Sequence, residues 1–274
     1  MKQSIIDFSV IVAIVVGSAA CSKPAVSADS APPSSSAAPV GSGAAASVAA
    51  PAASTVSPRV SDRFPTSRGE VALTPIHHAS LLLEFAGKAI YLDPTKDGSV
   101  EGLPKADWIF VTDVHPDHLD EAGIARVSKE GTVFVGPPAV GALRKLDVVL
   151  ANGQSKDFGV FSVEAVAAYN LVRGPAPGQL YHTKGRGNGY VLTFGETRIY
   201  DSGDTECTSE MRALSHIDVA FVCMNLPYTM TPAEATECAN AFKPKVLFPF
   251  HYRDSNLDEL RPDPPVEVRR RAWY

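Results

Sequence analysis

The sequence predicts an α/β fold in which two mixed β-sheets are flanked by helices. A hairpin signal occurs twice, around residues 86–88 and 195–196, and each hairpin is followed by alternating apolar strands and helical segments. This repeated order indicates two halves of similar design. About 215 residues follow residue 59, which is enough for one domain with a sizeable hydrophobic core.

The first half begins with the hairpin and continues with alternating elements. The pattern predicts strands at residues 80–85, 89–92, 107–112 and 132–135 and helices at residues 119–128 and 139–146. The strand at 107–112 (DWIFVT) is mostly apolar and ends in a polar loop, so it is expected to be buried.

The second half repeats this order around a polar, glycine-rich segment at residues 170–188. The pattern predicts strands at residues 160–167, 190–194, 198–200, 217–224 and 245–250, the last of which ends at His251. Thr231 is expected to cap a helix that ends near Phe242. Pro232 suits the first helical position and Glu234 completes a capping box.

The N-terminal region has the composition of an export signal and a tether. An apolar run at residues 8–20 precedes Cys21; it is too short to cross a hydrocarbon core of about 30 Å but suits an export signal. Residues 22–58 contain 12 Ala, 10 Ser and 6 Pro, too little apolar surface to fold. We therefore expect a signal at 1–20, a disordered tether at 21–60 and a folded domain at 61–274.

The residues before Cys21 are small, and this segment resembles the lipobox of a bacterial lipoprotein signal. The resemblance implies cleavage before Cys21, lipid attachment to it, and a domain held at the periplasmic face of the inner or outer membrane. Ordinary secretion, with cleavage in the Ala-rich stretch, is the alternative. The formal net charge of −5 argues against a nucleic-acid partner. The oligomeric state stays open.

Three further cysteines allow at most one disulfide bridge, so no disulfide framework is expected. Cys223 lies inside an apolar run and is predicted to be a buried strand residue. For Cys207 and Cys238 the sequence favours small buried thiols as well.

Side chains that bind metal ions follow three of the predicted strands. Asp113, His115, Asp117 and His118 lie within six residues after the strand at 107–112. Asp204 sits in a glycine turn after the strand at 198–200, and His251 ends the last strand. Imidazole and carboxylate together suit zinc, manganese or iron, so the sequence predicts an open catalytic metal site.

These motifs resemble the metallo-β-lactamase superfamily. The run Val111-Thr-Asp-Val-His-Pro-Asp-His118 is similar to its signature, and Asp204 and His251 match its later carboxylate and final histidine. The segments His78-Ala-Ser and Asp93-Pro resemble the branch that contains ascorbate-6-phosphate lactonase and N-acylphosphatidylethanolamine phospholipase D. The resemblance implies an αββα sandwich with a metal site between the upper edges of its two sheets.

The ligands implied by the resemblance divide into an intact and an altered site. The second site retains Asp117, His118 and His251, with Asp204 as the bridging carboxylate. In the first site His115 keeps its place, but Asp113 replaces a histidine and Asn170 lies near the expected third ligand. His182 is a further candidate for that ligand. Three states of the site stay open. It can bind two ions with Asp113 as an oxygen ligand, it can bind one ion, or it can be an inactive centre.

The implied activity is hydrolysis of an ester, lactone or phosphodiester in a small or lipid-like substrate. A bound divalent ion, zinc first and manganese or iron as alternatives, lowers the pKa of its water from about 16 to about 7 and so supplies hydroxide. Asp117 and Asp113 are the candidate proton acceptors. The candidate substrate contacts are His78, Asn170, Asn225 and Tyr228. The alternative is a non-catalytic, lipid-anchored binding module with a degenerate first metal site.

Overall fold

The computed structural model describes residues 60–274, which form two seven-stranded β-sheets with helices outside them. The predicted fold class, an αββα sandwich of two mixed sheets, is confirmed. The predicted signal, Cys21 and all but the last residue of the predicted tether lie outside the described residues. Within residues 60–274, no helix has both the length and the hydropathy that crossing a bilayer requires.

The first sheet is antiparallel at one side and parallel at the other. Its strands, in spatial and chain order, are β1 (Asp62–Thr66), β2 (Gly69–His77), β3 (Ser80–Phe85), β4 (Lys88–Leu92), β5 (Trp108–Phe110), β6 (Val133–Gly136) and β7 (Val148–Val149). Strands β1 to β4 pair antiparallel, and β4 to β7 pair parallel. The parallel strands bring their carboxyl ends to one edge.

The second sheet repeats this arrangement. Its strands are β8 (Ser155–Asp157), β9 (Ser162–Ala168), β10 (Gly187–Phe194), β11 (Thr197–Asp201), β12 (Val219–Cys223), β13 (Val246–Phe250) and β14 (Glu267–Val268). Strands β8 to β11 pair antiparallel, and β11 to β14 pair parallel. The strand predicted at residues 245–250 is present as β13. The prediction that it is the last strand is wrong, because the short edge strand β14 follows it.

The helices of the first half are shorter than predicted, and in the second half the helix capped by Thr231 ends at Phe242 as predicted. They are α1 (Glu121–Val127), α2 (Pro138–Gly141), α3 (Ser209–Arg212) and α4 (Pro232–Phe242), with a 3₁₀ turn at Leu257–Glu259. The helix expected at 139–146 ends at Gly141. The capping box of α4 is confirmed: the Thr231 hydroxyl accepts from the Glu234 N–H, and the Glu234 carboxylate accepts from the Thr231 N–H.

The main core lies between the two sheets and is rich in aromatic rings. Phe110 of β5 contacts Tyr190 of β10 edge to face at 5.1 Å, and the Tyr190 hydroxyl donates to the Val111 carbonyl oxygen at 2.9 Å. Within the second sheet, Phe221 stacks on Phe248 at 5.0 Å. These contacts fix β5 against β10, next to the point where the polar loop 112–118 leaves the sheet.

The cysteine prediction needs one correction. Cys207 and Cys238 form a disulfide between the segment after Asp204 and helix α4, whereas free thiols were expected. Three cysteines allow three different pairs, and only the tertiary structure brings these two together. Cys223 is buried in β12 as a free thiol, as predicted.

Candidate metal centre

His118 lies in the loop after β5 and is fixed by a buried carboxylate. Its Nδ1 is 2.7 Å from Asp93 Oδ2, and the N–H and hydroxyl of Thr112 donate to the same carboxylate at 2.8 and 2.5 Å. Asp93 directly follows β4, so the parallel pairing of β4 with β5 brings it beside Thr112. This network places the ring proton on Nδ1. The other ring nitrogen, Nε2, therefore points away from Asp93 and towards Asp204.

His182 is held in the same way by an amide. Asn170 Oδ1 accepts from both His182 Nδ1 at 2.6 Å and the His182 N–H at 2.8 Å, while Asn170 Nδ2 donates to the Tyr228 carbonyl oxygen at 2.8 Å. Asn170 is 1 % exposed. The predicted substrate contact at Asn170 is therefore wrong, because its amide lies behind His182 and orients that ring.

Asp204 is the carboxylate on which three histidines converge. Its Oδ2 is 3.3 Å from His118 Nε2 and 3.1 Å from His182 Nε2, and its Oδ1 is 3.4 Å from His251 Nε2. Gly203 makes this turn with a φ of +55°, and a Cβ there would lie 2.6 Å from the Asn188 carbonyl oxygen. Only glycine fits that conformation and that space.

These atoms fit a divalent cation. Within the described part of the chain, the buried atoms without a hydrogen-bond partner include Nε2 of His118, His182 and His251 and Oδ1 of Asp204. The ligand atoms of His118, His251 and Asp204 lie within 4.8 Å of one another, whereas His182 groups with Asp113 and His115. The contacts to Asp204 lack hydrogen-bond geometry. Buried polar groups are normally paired, and imidazole nitrogens with a carboxylate are a typical ligand set for a first-row metal.

The electrostatics of the centre also favour a cation. Burial lowers the pKa of His118, but the carboxylates of Asp204 and Asp93 outweigh it and raise the pKa well above its ordinary value. Burial raises the pKa of Asp204, but His251 and His118 outweigh it and hold that pKa well below the usual range. Positive charge, carried by a proton or by a metal ion, is stabilised between these groups.

Asp117 connects the centre to an open cleft of about 770 Å³. Its Oδ2 is 3.1 Å from His78 Nε2 and 3.4 Å from His251 Nε2. His78 Nδ1 is 2.8 Å from the Tyr274 hydroxyl, which accepts from the Arg253 N–H at 3.0 Å and so has its own proton free for Nδ1. This chain assigns the imidazole proton to Nε2, which donates to Asp117.

Burial lowers the pKa of His78 to about 4, so His78 is neutral at physiological pH. Burial raises the pKa of Asp117, but the imidazoles of His251 and His78 outweigh it and hold that pKa well below its ordinary value. Asp117 is therefore an ionised acceptor, and its side chain is 36 % exposed at the cleft. A negative charge with one oxygen facing a cleft can orient a water molecule or take up a proton.

Three residues of the site have a left-handed backbone. The φ angles of His78, Asp93 and His251 are 56°, 43° and 46°. Non-glycine residues rarely adopt this region, and such residues concentrate where side chains must be aimed into a site. At His251 and His78 the turns bring the two rings together, with centroids 3.7 Å apart and an angle of 40° between the ring planes.

Asp113 is bound to Arg186 on the far side of His115. Arg186 Nε and Nη2 donate to the two Asp113 oxygens at 2.9 and 2.7 Å, and His115 Nδ1 lies 3.1 Å from Asp113 Oδ2. Asp113 is 2 % exposed. The predicted proton-accepting role of Asp113 is wrong, because the carboxylate is buried, paired with a guanidinium and absent from the cleft lining.

The remaining predicted contacts lie apart from the cleft. Asn225 is buried beneath the loop after β12, and Tyr228 is exposed and packs on Tyr181 with ring centroids 5.0 Å apart. Neither lines the cleft, whose walls are formed by His77, His78, Thr95, Lys96, Asp97, Pro116, Asp117, Asp120, Tyr252, Arg253, Asp254 and Tyr274.

Sequence reasoning did not identify Asp93 as the partner of His118, Arg186 as the partner of Asp113, or Tyr274 as the partner of His78. Only Asp93 has a local signal, the Asp-Pro pair after a strand.

Comparison with known proteins agrees with this geometry. The model of the β-lactamase superfamily domain matches residues 72–251, which include every ligand candidate described above. The chain belongs to the β-lactamase superfamily. A UPF0173 metal-dependent hydrolase of Aeropyrum pernix is 30 % identical over 202 residues, covering 66 % of this chain and 81 % of that protein.

One solved structure supports the same assignment, and a second shares the fold. A putative metal-dependent hydrolase from Parabacteroides distasonis has a TM-score of 0.73 and 39 % identity, covering 78 % of this chain and 98 % of that one. Igni18, a metallo hydrolase from Ignicoccus hospitalis, has a TM-score of 0.56 at 20 % identity, covering 73 % and 94 %. The second likeness shows the fold alone.

Proposed function

We propose that this superfamily member is a hydrolase that cleaves an ester, lactone or phosphodiester bond in a small or lipid-like molecule. The observation that carries the proposal is the set of unpartnered buried atoms on His118, His182, His251 and Asp204, beside a cleft of about 770 Å³. A cleft of that volume suits a small-molecule substrate.

His118, His251 and Asp204 would hold one divalent ion, since their ligand atoms lie within 4.8 Å of one another. Because two of these three donors are imidazoles, zinc is the first choice, with manganese or iron as alternatives. When bound, such an ion lowers the pKa of water and polarises a carbonyl or phosphoryl oxygen. Asp93 keeps the His118 ring in the orientation that binding requires, and Asn170 likewise fixes the neighbouring His182 ring.

Asp117 is the proposed proton acceptor. Its Oδ2 is occupied by His78, whereas Oδ1 makes no hydrogen bond to any residue from 60 to 274. Oδ1 can therefore orient the attacking water and take its proton. His78 positions Asp117 rather than acting on substrate, because both of its nitrogens are bonded.

We also propose that the protein works outside the cytoplasm, attached to an envelope membrane through a lipid on Cys21. The Cys207–Cys238 disulfide supports this compartment, since disulfides persist in oxidising environments. Labelling cells with a radioactive or clickable fatty acid tests the anchor: wild-type chain should carry the label, and Cys21→Ser chain should not. A labelled Cys21→Ser chain would contradict the attachment site.

The activity is tested on the full chain with a panel of chromogenic esters, lactones and phosphodiesters. We expect hydrolysis that a chelator abolishes and added zinc, manganese or iron restores. Loss of a hydrogen-bond partner of a metal ligand costs about 10–100-fold, so Asp204→Asn should lose more than about 100-fold. Asp157→Asn, the same change on the exposed edge strand β8, should keep full activity.

Two results would contradict the proposal. One is hydrolysis that persists after the metal has been removed, and the other is an Asp204→Asn protein as active as wild type. A protein that binds metal but cleaves nothing across the panel would instead favour the binding module.

A further inference from the structure

We infer that the Arg186 guanidinium takes the place of a second metal ion, so that this centre binds one divalent ion and not two. The inference rests on the proposed function, because it assumes that the His118, His251 and Asp204 cluster binds metal. It concerns the neighbouring cluster of Asp113, His115 and His182, whose ligand atoms also lie within 4.8 Å of one another.

Arg186 already fills the neighbouring cluster with positive charge. Its Nε and Nη2 form two parallel hydrogen bonds to Asp113, and Nη2 is 3.4 Å from His115 Nε2. This paired geometry is the strongest arrangement of arginine with a carboxylate. A guanidinium stays protonated at every physiological pH, so it repels a divalent ion a few ångströms away under all those conditions.

The backbone around Arg186 holds the guanidinium in this position. The Arg186 N–H donates to the Thr183 carbonyl oxygen at 3.1 Å, and the Asn188 N–H donates to the Thr112 carbonyl oxygen at 2.9 Å. Between them, a Cβ on Gly187 would lie 3.4 Å from Asp113 Oδ1. The start of β10 therefore lies close against Asp113, and the main chain on both sides of Gly187 is held by hydrogen bonds.

The distribution of unpartnered atoms separates the two clusters. In the first cluster named above, buried ligand atoms on all three residues lack a hydrogen bond within residues 60–274. In the second, both Asp113 oxygens accept from Arg186, and Arg186 Nη2 is 3.4 Å from His115 Nε2. Of these two clusters, the one at Asp204 has an unpartnered ligand atom on every residue.

Metal stoichiometry tests the inference on the full chain. Metal-free protein is saturated with zinc, freed of unbound ion by gel filtration, and measured by elemental mass spectrometry. We expect one equivalent for wild type and two for Arg186→Ala, since the Asp113, His115 and His182 cluster is then free to bind. Arg186→Gln, a neutral side chain that can still bond to Asp113, is the second variant and should also bind two.

Arg271→Ala is the matched control. Arg271 Nε and Nη2 likewise bind a buried carboxylate, Asp62, at 2.8 and 2.6 Å, and its side chain is 24 % exposed against 21 % for Arg186. Arg271→Ala should keep one equivalent. Circular dichroism and thermal melting identify any variant that fails to fold.

The measured stoichiometry distinguishes a centre with one ion from a centre with two. Two equivalents in wild type would overturn the inference, because Arg186 would then move aside for an ion. One equivalent in folded Arg186→Ala and Arg186→Gln would also overturn it. No metal in wild type would instead refute the proposed function, so the two failures are distinguishable.

Discussion

His118 shows how single residues build this centre. One ring nitrogen is committed to Asp93 at 2.7 Å, and the other is buried without a hydrogen-bond partner among residues 60–274. His182 repeats the pattern with Asn170. A ring fixed from behind presents its free nitrogen at a defined point, which reduces the entropy lost when an ion binds.

Asp93→Asn tests this arrangement. The substitution removes the negative charge behind His118, so affinity for zinc should fall about 10–100-fold. Competition with a chromophoric chelator measures that affinity. Asp107→Asn is the control, because Asp107 likewise accepts a backbone N–H, but it is only partly buried and pairs with Lys88 and Lys129 away from the centre. Equal affinity in Asp93→Asn and wild type would contradict this role.

Gly203→Ala tests the turn that presents Asp204. The Cβ would sit 2.6 Å from a carbonyl oxygen on a backbone with a φ of +55°. Strain of about 1–2 kcal/mol from the left-handed backbone adds to about 1–3 kcal/mol from overpacking. The free energy of unfolding in urea should therefore fall by about 2–5 kcal/mol.

Gly102→Ala separates the two causes. Gly102 also has a positive φ, +75°, but nothing lies within 4 Å of its Cβ position. In Gly102→Ala the free energy of unfolding should fall only by the contribution of the left-handed backbone, about 1–2 kcal/mol. Equal losses in the two variants would show that the close approach at Gly203 contributes nothing.

For single residues, the sequence predicted which candidate ligands the structure brings together. It did not predict the hydrogen-bond partners that orient those ligands. Asp117, His118, Asp204 and His251 follow strand ends, so their meeting at one edge could be expected. The bond between Asp93 and His118 joins residues 25 positions apart. The Asp-Pro pair marks Asp93 in the sequence, but the pairing of β4 with β5 creates the bond, so the local pattern could not identify His118 as the partner.

Among the elements, the strands with a clear pattern were predicted and the unusual ones were not. Strand β2 contains Pro75, where the pairing with β3 shifts register, and six of its nine residues are buried in succession. Proline and the lack of alternation both hide a strand from pattern reading. Strand β8 is exposed throughout, and β14 has two residues, so neither carries an apolar signal.

The disulfide joins two elements around the centre. Cys207 lies three residues after Asp204, and Cys238 lies in α4, 31 positions further along the sequence. Closing a loop of that length stabilises a fold by about 3–4 kcal/mol in the chain-entropy account. We therefore expect the Cys207→Ser/Cys238→Ser chain to unfold at lower urea concentration, with a free energy of unfolding about 3 kcal/mol below wild type.

Adding a reductant provides the control for this prediction. It should lower the stability of the wild-type chain towards that of the double variant and leave the double variant unchanged. Cys223 is fully buried and free, and it is present in both chains. Equal stability of wild type and double variant under oxidising conditions would contradict a stabilising bridge.

For the whole molecule, the repeated order of hairpin and alternating elements was enough to predict the two mixed sheets. Each sheet turns from antiparallel to parallel pairing, and the ends of β5, β11 and β13 supply the polar loops of one edge. The cleft was not predictable, since its walls come from Lys96, Tyr252 and Tyr274, which lie far apart in sequence and in no common motif.

Anomalous diffraction from crystals of the full chain grown with zinc is the most direct test of the proposed centre. We predict a single peak about 2.0–2.2 Å from the ligand atoms of His118, His251 and Asp204, with Arg186 still bonded to Asp113. Either no peak, or a peak between Asp113 and His115 with Arg186 displaced, would contradict this account.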